Sequence, residues 1–296
     1  MDSMRYVVAL GGNAIEDKKS IEKAARAIAR LYEDGNEIVV THGNGPQVGE
    51  LAITQKESLA ILTAQTQAWI GMTIEISIAR ALKTLNKGND YSIPEVVLTK
   101  TIVDKDDTAF DNPTKPIGKF YTKAQSKDLT RRGFTMKKLI NGYRRVVPSP
   151  EPREIGQKGV ILDLLKSRHI VIACGGGGVP VIKTSGGLKF VEAVIDKDRA
   201  SALLAEEIHA DRFIILTNVD GIYLNFKKKN QKFVSRIDAR KLKEYAGLGY
   251  FESGSMEPKA TACIDFVEST RNAAGIGNIN KPEQAISMKR LTLITP

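Results

Sequence analysis

The stretch Glu37-Ile-Val-Val-Thr-His-Gly-Asn-Gly-Pro46 decides the fold class, because a β-branched apolar run ends there in a glycine-rich turn that opens a helical pattern. The same succession recurs along the chain. Runs predicted to be strands lie at Tyr6–Leu10, Glu37–Thr41, Val96–Thr99, Ile170–Cys174, Phe213–Thr217 and Leu291–Thr295. Strands that alternate with helical patterns are typical of βα units. The sequence therefore predicts an α/β fold with a largely parallel sheet.

Helical patterns occupy about 17–34, 46–86, 197–209 and 257–270. Asp196 precedes the third as its N-cap, and Pro258 lies in the first turn of the fourth, where its missing N–H costs little. Between 104 and 152 the alternation of strands and helices stops, and prolines frame this segment. We therefore expect one domain over residues 1–296 with an inserted subdomain at 104–152.

The composition is that of an ordinary globular protein, with 42% hydrophobic and 26% charged residues among 296. At about 100–200 residues per domain, this length suits one large domain. The apolar stretch from Ser58 to Leu85 still carries charges, so no transmembrane helix is predicted. The N-terminus shows no signal-peptide pattern. Cys174 and Cys263 match no disulfide or metal spacing, so we expect a cytoplasmic protein with two reduced, buried thiols.

The net charge of +10 is concentrated in one segment. Between Lys115 and Arg153, eleven lysines and arginines accompany only two carboxylates. A local basic patch attracts anions, whether they are nucleotides, small phosphates or nucleic acids. A solvated basic surface without a partner gives the same pattern, so the charge alone leaves these alternatives open.

Four predicted strands lead into short polar or glycine-rich loops: Gly11-Gly12-Asn13, His42-Gly43-Asn44-Gly45, Gly175 to Gly178, and Asn218 to Gly221. In open α/β sheets, ligands bind beyond the carboxyl ends of the strands, so these loops are expected to converge on one crevice. Glycines there give backbone N–H groups access to a phosphate. For any one loop, a tight turn that binds nothing is the alternative.

Several common chemistries lack their motifs. The chain contains neither G-x-x-x-x-G-K-[S/T] nor G-x-G-x-x-G, and it has no G-x-S-x-G elbow. The three histidines are too far apart in sequence to suggest a metal centre. Lysines remain, and phosphoryl transfer needs mainly positive charge and in-line positioning. Lys197, between Asp196 and Asp198, is the most suggestive of them, with an exposed salt-bridged lysine as the alternative.

Eight strings then form an ordered pattern. They are Val8-Ala-Leu-Gly-Gly-Asn-Ala14, Thr41-His-Gly-Asn-Gly-Pro-Gln-Val-Gly49, Asn112-Pro-Thr-Lys-Pro-Ile-Gly118, Arg144-Arg-Val-Val-Pro-Ser-Pro150, Cys174-Gly-Gly-Gly-Gly178, Glu192-Ala-Val-Ile-Asp-Lys-Asp198, Leu216-Thr-Asn-Val-Asp220 and Gly254-Ser-Met-Glu-Pro-Lys259. Over nearly the whole chain they resemble the carbamate kinases of the amino-acid kinase superfamily.

The resemblance implies a three-layer αβα sandwich around a mostly parallel sheet, with the 104–152 segment protruding over the active site, and a homodimer. It implies reversible transfer of a phosphoryl group between ATP and carbamate, giving ADP and carbamoyl phosphate, a reaction often run towards ATP. It also implies Mg²⁺ with the nucleotide, held largely by phosphates and water. No nucleic-acid or membrane partner is implied. Carbamate is already anionic, so the reaction needs no general base.

The resemblance further implies residue roles. Lys197 looks like the lysine that neutralises the moving phosphoryl group, and Asp196 looks like its organiser. Lys115 resembles the lysine that reaches the substrate from the inserted segment, and Lys259 the one on the terminal phosphates of the nucleotide. The phosphoryl and carbamate cradle is expected at Gly11, Gly12, Asn13, Gly43, Asn44, Gly45, Gly176 and Gly177. The nucleotide is expected beside Thr217, Asp220, Tyr223, Met256 and Lys259.

The chain departs from the family pattern in four places. The region between Gly49 and Thr66 is shorter than usual, and the family's T-Q-G-x-I-G-Y is here Thr66-Gln-Ala-Trp-Ile-Gly-Met72. In the family, the long helix in this region normally contributes to the dimer. Lys119 replaces a usual proline, and the sequence after Arg271 matches poorly.

Two other functions stay open on the sequence alone. One is a sibling kinase acting on another acid, which would have a larger substrate pocket and usually a lysine near the first glycine pair. The other is a regulator that binds a nucleotide or carbamoyl phosphate without catalysis. The lysines at 115, 197 and 259 argue against the regulator.

Overall fold

The computed structural model describes residues 3–11, 17–87, 92–251 and 256–296. The helices are α1 (Lys18–Glu33), α2 (Gly45–Thr54), α3 (Leu59–Leu85), α4 (Lys123–Arg131), α5 (Lys158–Lys166), α6 (Lys197–Glu207), α7 (Ala239–Gly247), α8 (Met256–Thr270) and α9 (Pro282–Ile286). Within these ranges, no helix combines the length and apolar character that crossing a lipid bilayer requires.

The strands alternate with these helices through much of the chain. They are β1 (Arg5–Leu10), β2 (Glu37–His42), β3 (Glu95–Val96), β4 (Lys100–Val103), β5 (Lys115–Tyr121), β6 (Met136–Leu139), β7 (Gly142–Val147), β8 (Pro152–Ile155), β9 (Val171–Ile172), β10 (Val179–Thr184), β11 (Gly187–Phe190), β12 (Arg212–Thr217), β13 (Tyr223–Leu224), β14 (Lys232–Phe233), β15 (Arg236–Asp238), β16 (Ala273–Asn278) and β17 (Leu291–Thr295).

The main sheet has eight strands within the described residues, in the order β15-β17-β16-β12-β1-β2-β9-β3. The six strands from β16 to β3 are parallel to one another, while β17 runs antiparallel to β16 and parallel to β15. The prediction of an α/β fold with a mostly parallel sheet is confirmed.

Alternate residues of each central strand face opposite helical layers, as the period of two of a strand requires. On β1, Val7 packs into a core with α6 and α8, where the rings of Phe213 and Phe266 lie 5.6 Å apart. Val8, one residue on, packs into the other core with α1 and α3. The result is the expected αβα sandwich. Both cysteines are buried free thiols, as predicted.

The single helix predicted over 46–86 is wrong, because the chain breaks it into α2 and α3. Gln55 ends α2 in an extended conformation, and the Ser58 hydroxyl caps α3 by accepting a hydrogen bond from Ile61 N at 3.3 Å. The sequence offers no proline or glycine at the break, so periodicity alone did not show it. After the break, α3 packs on α1 and the main sheet, whereas α2 packs on β5.

Strand β16 was not predicted from the sequence because its Gly275 and Gly277 lower strand propensity. The structure shows why these residues are glycine. A Cβ at Gly275 would lie 2.1 Å from the Leu291 side chain, and one at Gly277 would lie 2.5 Å from Ala285 Cβ. The strand is therefore closely covered by α9 and β17.

The segment between β4 and β8 contains a separate antiparallel sheet. β4 and β8 are antiparallel neighbours, so the chain leaves and rejoins the same small sheet. Between them, β5, β7 and β6 form an antiparallel sheet in that order, and α4 packs on it. Thr122 and Gln125 begin α4 with a reciprocal capping box.

Candidate active site

The four loops predicted to converge follow β1, β2, β9 and β12, which are consecutive neighbours in the main sheet. Because these strands are parallel, their carboxyl ends lie at one edge. Gly43 N donates to Leu10 O at 3.2 Å, and Gly11 N donates to Leu216 O at 2.8 Å. These two bonds join the loop after β2 to β1, and the loop after β1 to β12.

Glycines let the loops approach more closely than any other residue would allow. A Cβ at Gly176 would lie 2.1 Å from Asn44 Nδ2, and one at Gly177 would lie 2.6 Å from Ile195 O. Both residues also have positive φ, 65° and 90°. The glycine segment after β9 therefore contacts both the loop after β2 and the residues that lead into α6.

Several of the predicted cradle amides are already engaged. Gly11 and Gly43 donate to the neighbouring strands, and Gly177 N donates to Cys174 O at 3.0 Å. In the first turn of α2, the N–H groups of Gly45 and Gln47 have no acceptor inside the helix and carry the positive end of its dipole, whereas Pro46 has no N–H. At this edge of the sheet, the start of α2 is thus the part of the cradle best suited to an anion. Gly12 and Asn13 lie outside the described residues.

A buried amide network ties both glycine loops to α3. Asn44 Nδ2 donates to Thr66 Oγ1 at 2.9 Å. Gln67, the next residue, donates from Nε2 to Gly175 O at 3.0 Å and accepts from Thr99 N at 2.5 Å. The side chains of Asn44, Thr66 and Gln67 are buried, and so is Thr99, which contributes its backbone N–H. This network holds the two loops at a fixed separation.

His42 is fully buried beneath this network. A Cβ at Gly175 would lie only 2.4 Å from the Cε1 and Nε2 atoms of the His42 ring. The Nδ1 atom is 3.0 Å from Gly43 O, so Nδ1 carries the proton. Burial lowers the pKa of His42 to about 4. The ring is therefore neutral at physiological pH and does not carry charge into the site.

Asp196 begins α6 and links it to the inserted segment. Its Oδ1 accepts from Asp198 N at 2.9 Å and from Arg199 N at 3.3 Å, which caps the helix. Its Oδ2 is ion-paired with Lys115 at the start of β5. Burial would raise the pKa of Asp196, but Lys115 and the neighbouring lysines hold it well below its ordinary value.

Asp198 connects the other two lysines. Oδ1 pairs with Lys197 Nζ, and Oδ2 lies 3.1 Å from Lys259 Nζ on α8. The side chains are 4% exposed for Asp198, 12% for Lys197 and 15% for Lys259, so this pairing takes place away from bulk water. Lys197 thus pairs with Asp198, while Asp196, the predicted organiser, pairs with Lys115.

Burial and pairing oppose each other at these groups. Burial lowers the pKa of Lys197, and Asp198 only partly offsets this effect. Burial also acts against charge on Lys259, but the Asp198 carboxylate raises the pKa of that lysine. Burial would raise the pKa of Asp198, yet the two ammonium groups keep it lowered. Asp198 thus stabilises two adjacent positive charges in a confined space.

A hydroxyl relay fixes the backbone of Lys197. Ser201 Oγ donates to Lys197 O at 2.6 Å, and Thr41 at the end of β2 lies 2.6 Å from the same Oγ. Because the Ser201 proton is used on the carbonyl, Thr41 is the donor in the second bond. The first turn of α6 is thereby tied to the strand that leads into the glycine loop.

The residues predicted to bind the nucleotide lie on several separate elements of the fold. Thr217 ends β12 beside Gly11, whose Cβ would lie 3.6 Å from Thr217 Cα. Asp220 accepts from Asn278 Nδ2 at 2.8 Å and pairs with Arg290 at 2.9 Å, so its carboxylate already has partners. Tyr223 lies in an aromatic cluster with Phe226 and Phe233. Met256 begins α8, the helix that carries Lys259.

Sequence reasoning missed two residues that the geometry brings into the site. Asp198 was visible in the string Ile195-Asp-Lys-Asp198, but spacing does not distinguish the cap of a helix from a carboxylate in its first turn. Gln67 gave no local signal, since its partners Thr99 and Gly175 are 32 and 108 positions away.

A bound divalent cation would find few free protein ligands at this edge. Among the described residues, no three His, Cys, Asp or Glu side chains are grouped so that they could hold a metal. Both site carboxylates are paired with lysines. The donor set therefore fits a cation that is bound through the phosphates of a nucleotide and water.

Lysines around a loop-lined edge of an αβα sheet define a class of protein, the phosphotransferases that act by positioning and charge. The amino acid kinase family profile matches residues 4–278. The chain is 44% identical to carbamate kinase 2 of Staphylococcus aureus over 95% of both chains, and 40% identical to the carbamate kinase of Thermoplasma volcanium over 99% of this chain and 100% of that one.

Solved structures agree with these similarities. A carbamate kinase from Giardia lamblia bound to AMP-PNP superposes with a TM-score of 0.85 at 33% identity, covering 99% of this chain and 98% of that one. The chain belongs to the amino acid kinase family.

Replacing Asp198 with asparagine keeps the shape of the side chain but removes the charge between two lysines. We expect turnover in phosphoryl transfer to fall about 100-fold, because the charge arrangement of the site is lost. The change also removes a group that raises the pKa of Lys197. Because positive charge stabilises a transferred phosphoryl group, we expect the alkaline limb of the pH–rate profile to move to lower pH.

The control for this variant is Asp163→Asn, which breaks an exposed ion pair with Lys166 on α5. Initial rates across a pH series check the prediction. A pH profile of the Asp198 variant that coincides with that of the control would contradict it.

Proposed function

We propose that the chain catalyses reversible phosphoryl transfer between ATP and carbamate, giving ADP and carbamoyl phosphate. The observation that carries this proposal is the pairing of Lys197 and Lys259 through Asp198 beside the glycine loops. The identity to carbamate kinases over nearly the whole chain supports the choice of acid substrate.

In the forward direction, an anionic oxygen of carbamate attacks the γ-phosphorus of ATP as the bond to the β,γ-bridging oxygen breaks. Charge spreads over the three equatorial oxygens of the transferred group. We assign Lys197 to these oxygens, and Lys259 to the terminal phosphates of the nucleotide. The backbone N–H groups of Gly45 and Gln47, in the first turn of α2, add further positive potential beside these oxygens.

The attacking oxygen carries no proton, so the site needs no general base. The environment of His42 supports this assignment, because the ring is buried and neutral and its Nδ1 proton is held by Gly43 O. Asp196 and Asp198 are both paired with lysines. We therefore assign these carboxylates to positioning and charge balance.

We propose that residues 104–152 form a subdomain over this site and that Lys115 reaches the substrate from it. The ion pair between Lys115 and Asp196 supports this role, since it places the start of β5 against the first residue of α6. Gly11, Gly12, Asn13, Gly43, Asn44, Gly176 and Gly177 are proposed to shape the pocket for carbamate and the transferred group.

The nucleotide is proposed to lie along Thr217, Tyr223 and Met256, with Asp220 holding the loop between them through Arg290. A cavity of about 710 Å³ lies next to the aromatic cluster of Tyr223 and is lined by residues 225–228 and 248–251, of which Phe226 contacts Tyr223. Mg²⁺, bound through the phosphates and water, supplies further positive charge when it is present.

A homodimer is proposed through the outer face of α3. Trp69, Met72 and Ile76 lie at spacings that share one face of the helix, and they are 61%, 56% and 46% exposed. Such a cluster of large apolar side chains marks an interaction site. The same helix holds both glycine loops through Thr66 and Gln67. A second copy packed on α3 would therefore stabilise the helix that positions these loops.

The activity is tested by measuring ATP formation from ADP, Mg²⁺ and carbamoyl phosphate, with acetyl phosphate and acetylglutamyl phosphate as comparison donors. Rapid formation that is selective for carbamoyl phosphate is expected. Selectivity for another acyl phosphate would instead assign a sibling acid kinase. Nucleotide binding without turnover on any donor would contradict catalysis.

Lys197→Ala is expected to lower turnover about 100-fold or more while leaving the KM for ADP nearly unchanged, because the lysine acts on the transferred group. Lys166→Ala, an exposed lysine in α5, is the matched control. Steady-state kinetics of both variants check this. An unchanged turnover number for Lys197→Ala would remove the residue from its assigned role.

For the dimer, Trp69→Lys is expected to shift the protein to monomers in sedimentation experiments, because it places a charge in the apolar contact. Leu188→Lys makes a similar change at an exposed residue of β11 and is expected to leave the mass unchanged. Equal sedimentation of both variants with the unmodified protein would exclude the α3 face as the interface.

A further inference from the structure

The structure brings together the last residues of two of the sequence motifs. Gly49 ends the string that begins at Thr41, and Gly118 ends the string that begins at Asn112. Gly49 lies in α2 and Gly118 lies in β5. They are 69 positions apart in the chain, yet their backbones are in direct contact.

Neither position tolerates a side chain at this separation. A Cβ on Gly49 would lie 1.8 Å from Gly118 N and 2.2 Å from Gly118 Cα. The clash is with backbone, so no side-chain rotation relieves it. Gly118 has φ of +69°, and its own Cβ would lie 3.2 Å from the Gly49 carbonyl. We name this contact the glycine seam.

Helix formation alone does not explain Gly49. A glycine inside a helix is about 1 kcal/mol less favourable than alanine, so local propensity favours alanine at this position. Glycine also occurs in a helix at a position where a side chain would meet no neighbouring atom. Gly159 in α5, for example, has nothing within 4 Å of the position of its Cβ. At Gly49 the cost is offset by the close approach of β5.

The seam lies between two parts of the candidate site. α2 begins four residues before Gly49, at Gly45 in the anion-binding loop. Lys115 lies three residues before Gly118 on β5 and pairs with Asp196. Gly49 is therefore about one turn of α2 from Gly45, and Gly118 is three residues of β5 from Lys115.

A small hydrophobic core fixes the orientation of these segments. Val48 and Ala52 of α2 pack with Ile117 of β5, and Val194 joins them from the residues before Asp196. Val48 and Ile117 are fully buried. Because the seam is a contact between backbones and this core joins α2, β5 and Val194, we expect a displacement at the seam to move β5 relative to both α2 and Asp196.

We propose that Gly49 and Gly118 are positioning residues, and that the glycine seam sets the distance between Lys115 and the loop at the start of α2. This proposal rests on the proposed function, since Lys115 is assigned to the substrate. The seam acts through backbone contact and leaves the nucleotide side of the site, with Lys259 and Met256, in place.

The test compares Gly49→Ala with Gly159→Ala in the full-length protein, using ADP and carbamoyl phosphate. Both changes add one methyl group to a helix, but only the first displaces β5. We expect Gly49→Ala to lower kcat/KM for carbamoyl phosphate about tenfold or more, because misplacement by about 1 Å is costly in catalysis. The KM for ADP and all constants of Gly159→Ala stay near their original values.

A double-variant cycle tests whether the effect passes through Lys115. If it does, adding Gly49→Ala to Lys115→Ala costs little further activity, because the displaced group is already absent. Losses that multiply would overturn the proposal, as would kinetics of Gly49→Ala that match those of Gly159→Ala. A general fold defect would raise the KM for ADP as well and would also count against it.

Thermal unfolding shows whether each variant is folded. If Gly49→Ala does not fold, Gly118→Ala replaces it, since its Cβ contacts of 3.2 Å require a smaller displacement. The same selective loss is expected there. Inactivity of the unmodified protein and of Gly159→Ala would instead contradict the proposed function, so the two failures are distinguishable.

Discussion

The rest of the site depends on how buried charges at the start of α6 are balanced. An ion taken out of water costs several kcal/mol unless it is paired. Asp198 meets this requirement for two lysines at once, and Asp196 divides its two oxygens between the helix cap and Lys115. Removing one partner leaves another charge uncompensated. The cluster therefore restricts where α6, α8 and β5 can lie.

The fold brings these elements together from distant parts of the chain. Parallel strands place four loops at one edge of the sheet, and glycines allow the loops to touch. α6 contributes Lys197 and α8 contributes Lys259 from the same helical layer, and β5 brings Lys115 from the segment between β4 and β8. Catalysis by positioning and charge needs such an arrangement before the substrate arrives.

The sequence predicted much of this architecture because β-branched runs and glycine turns are local signals. It did not reveal the break at Gln55, where only the Ser58 cap separates two helical patterns, or strand β16, whose glycines reflect contacts with α9 and β17. At the site, the motifs supplied the lysines. The pairing of Lys197 with Asp198, and the bridge from Gln67 to Gly175, depend on contacts that residue spacing does not encode.

The central proposal is that Lys197 and the start of α2 hold the transferred phosphoryl group together, while Lys259, joined to Lys197 through Asp198, holds the nucleotide phosphates. A crystal structure with ADP, Mg²⁺ and aluminium fluoride, a mimic of that group, tests it most directly. The account predicts that the fluoride group lies within hydrogen-bond distance of Lys197 Nζ and of the first-turn amides of α2, with Lys259 on the neighbouring phosphate. A fluoride group bound away from Lys197, with the ion pairs to Asp198 untouched, would contradict it.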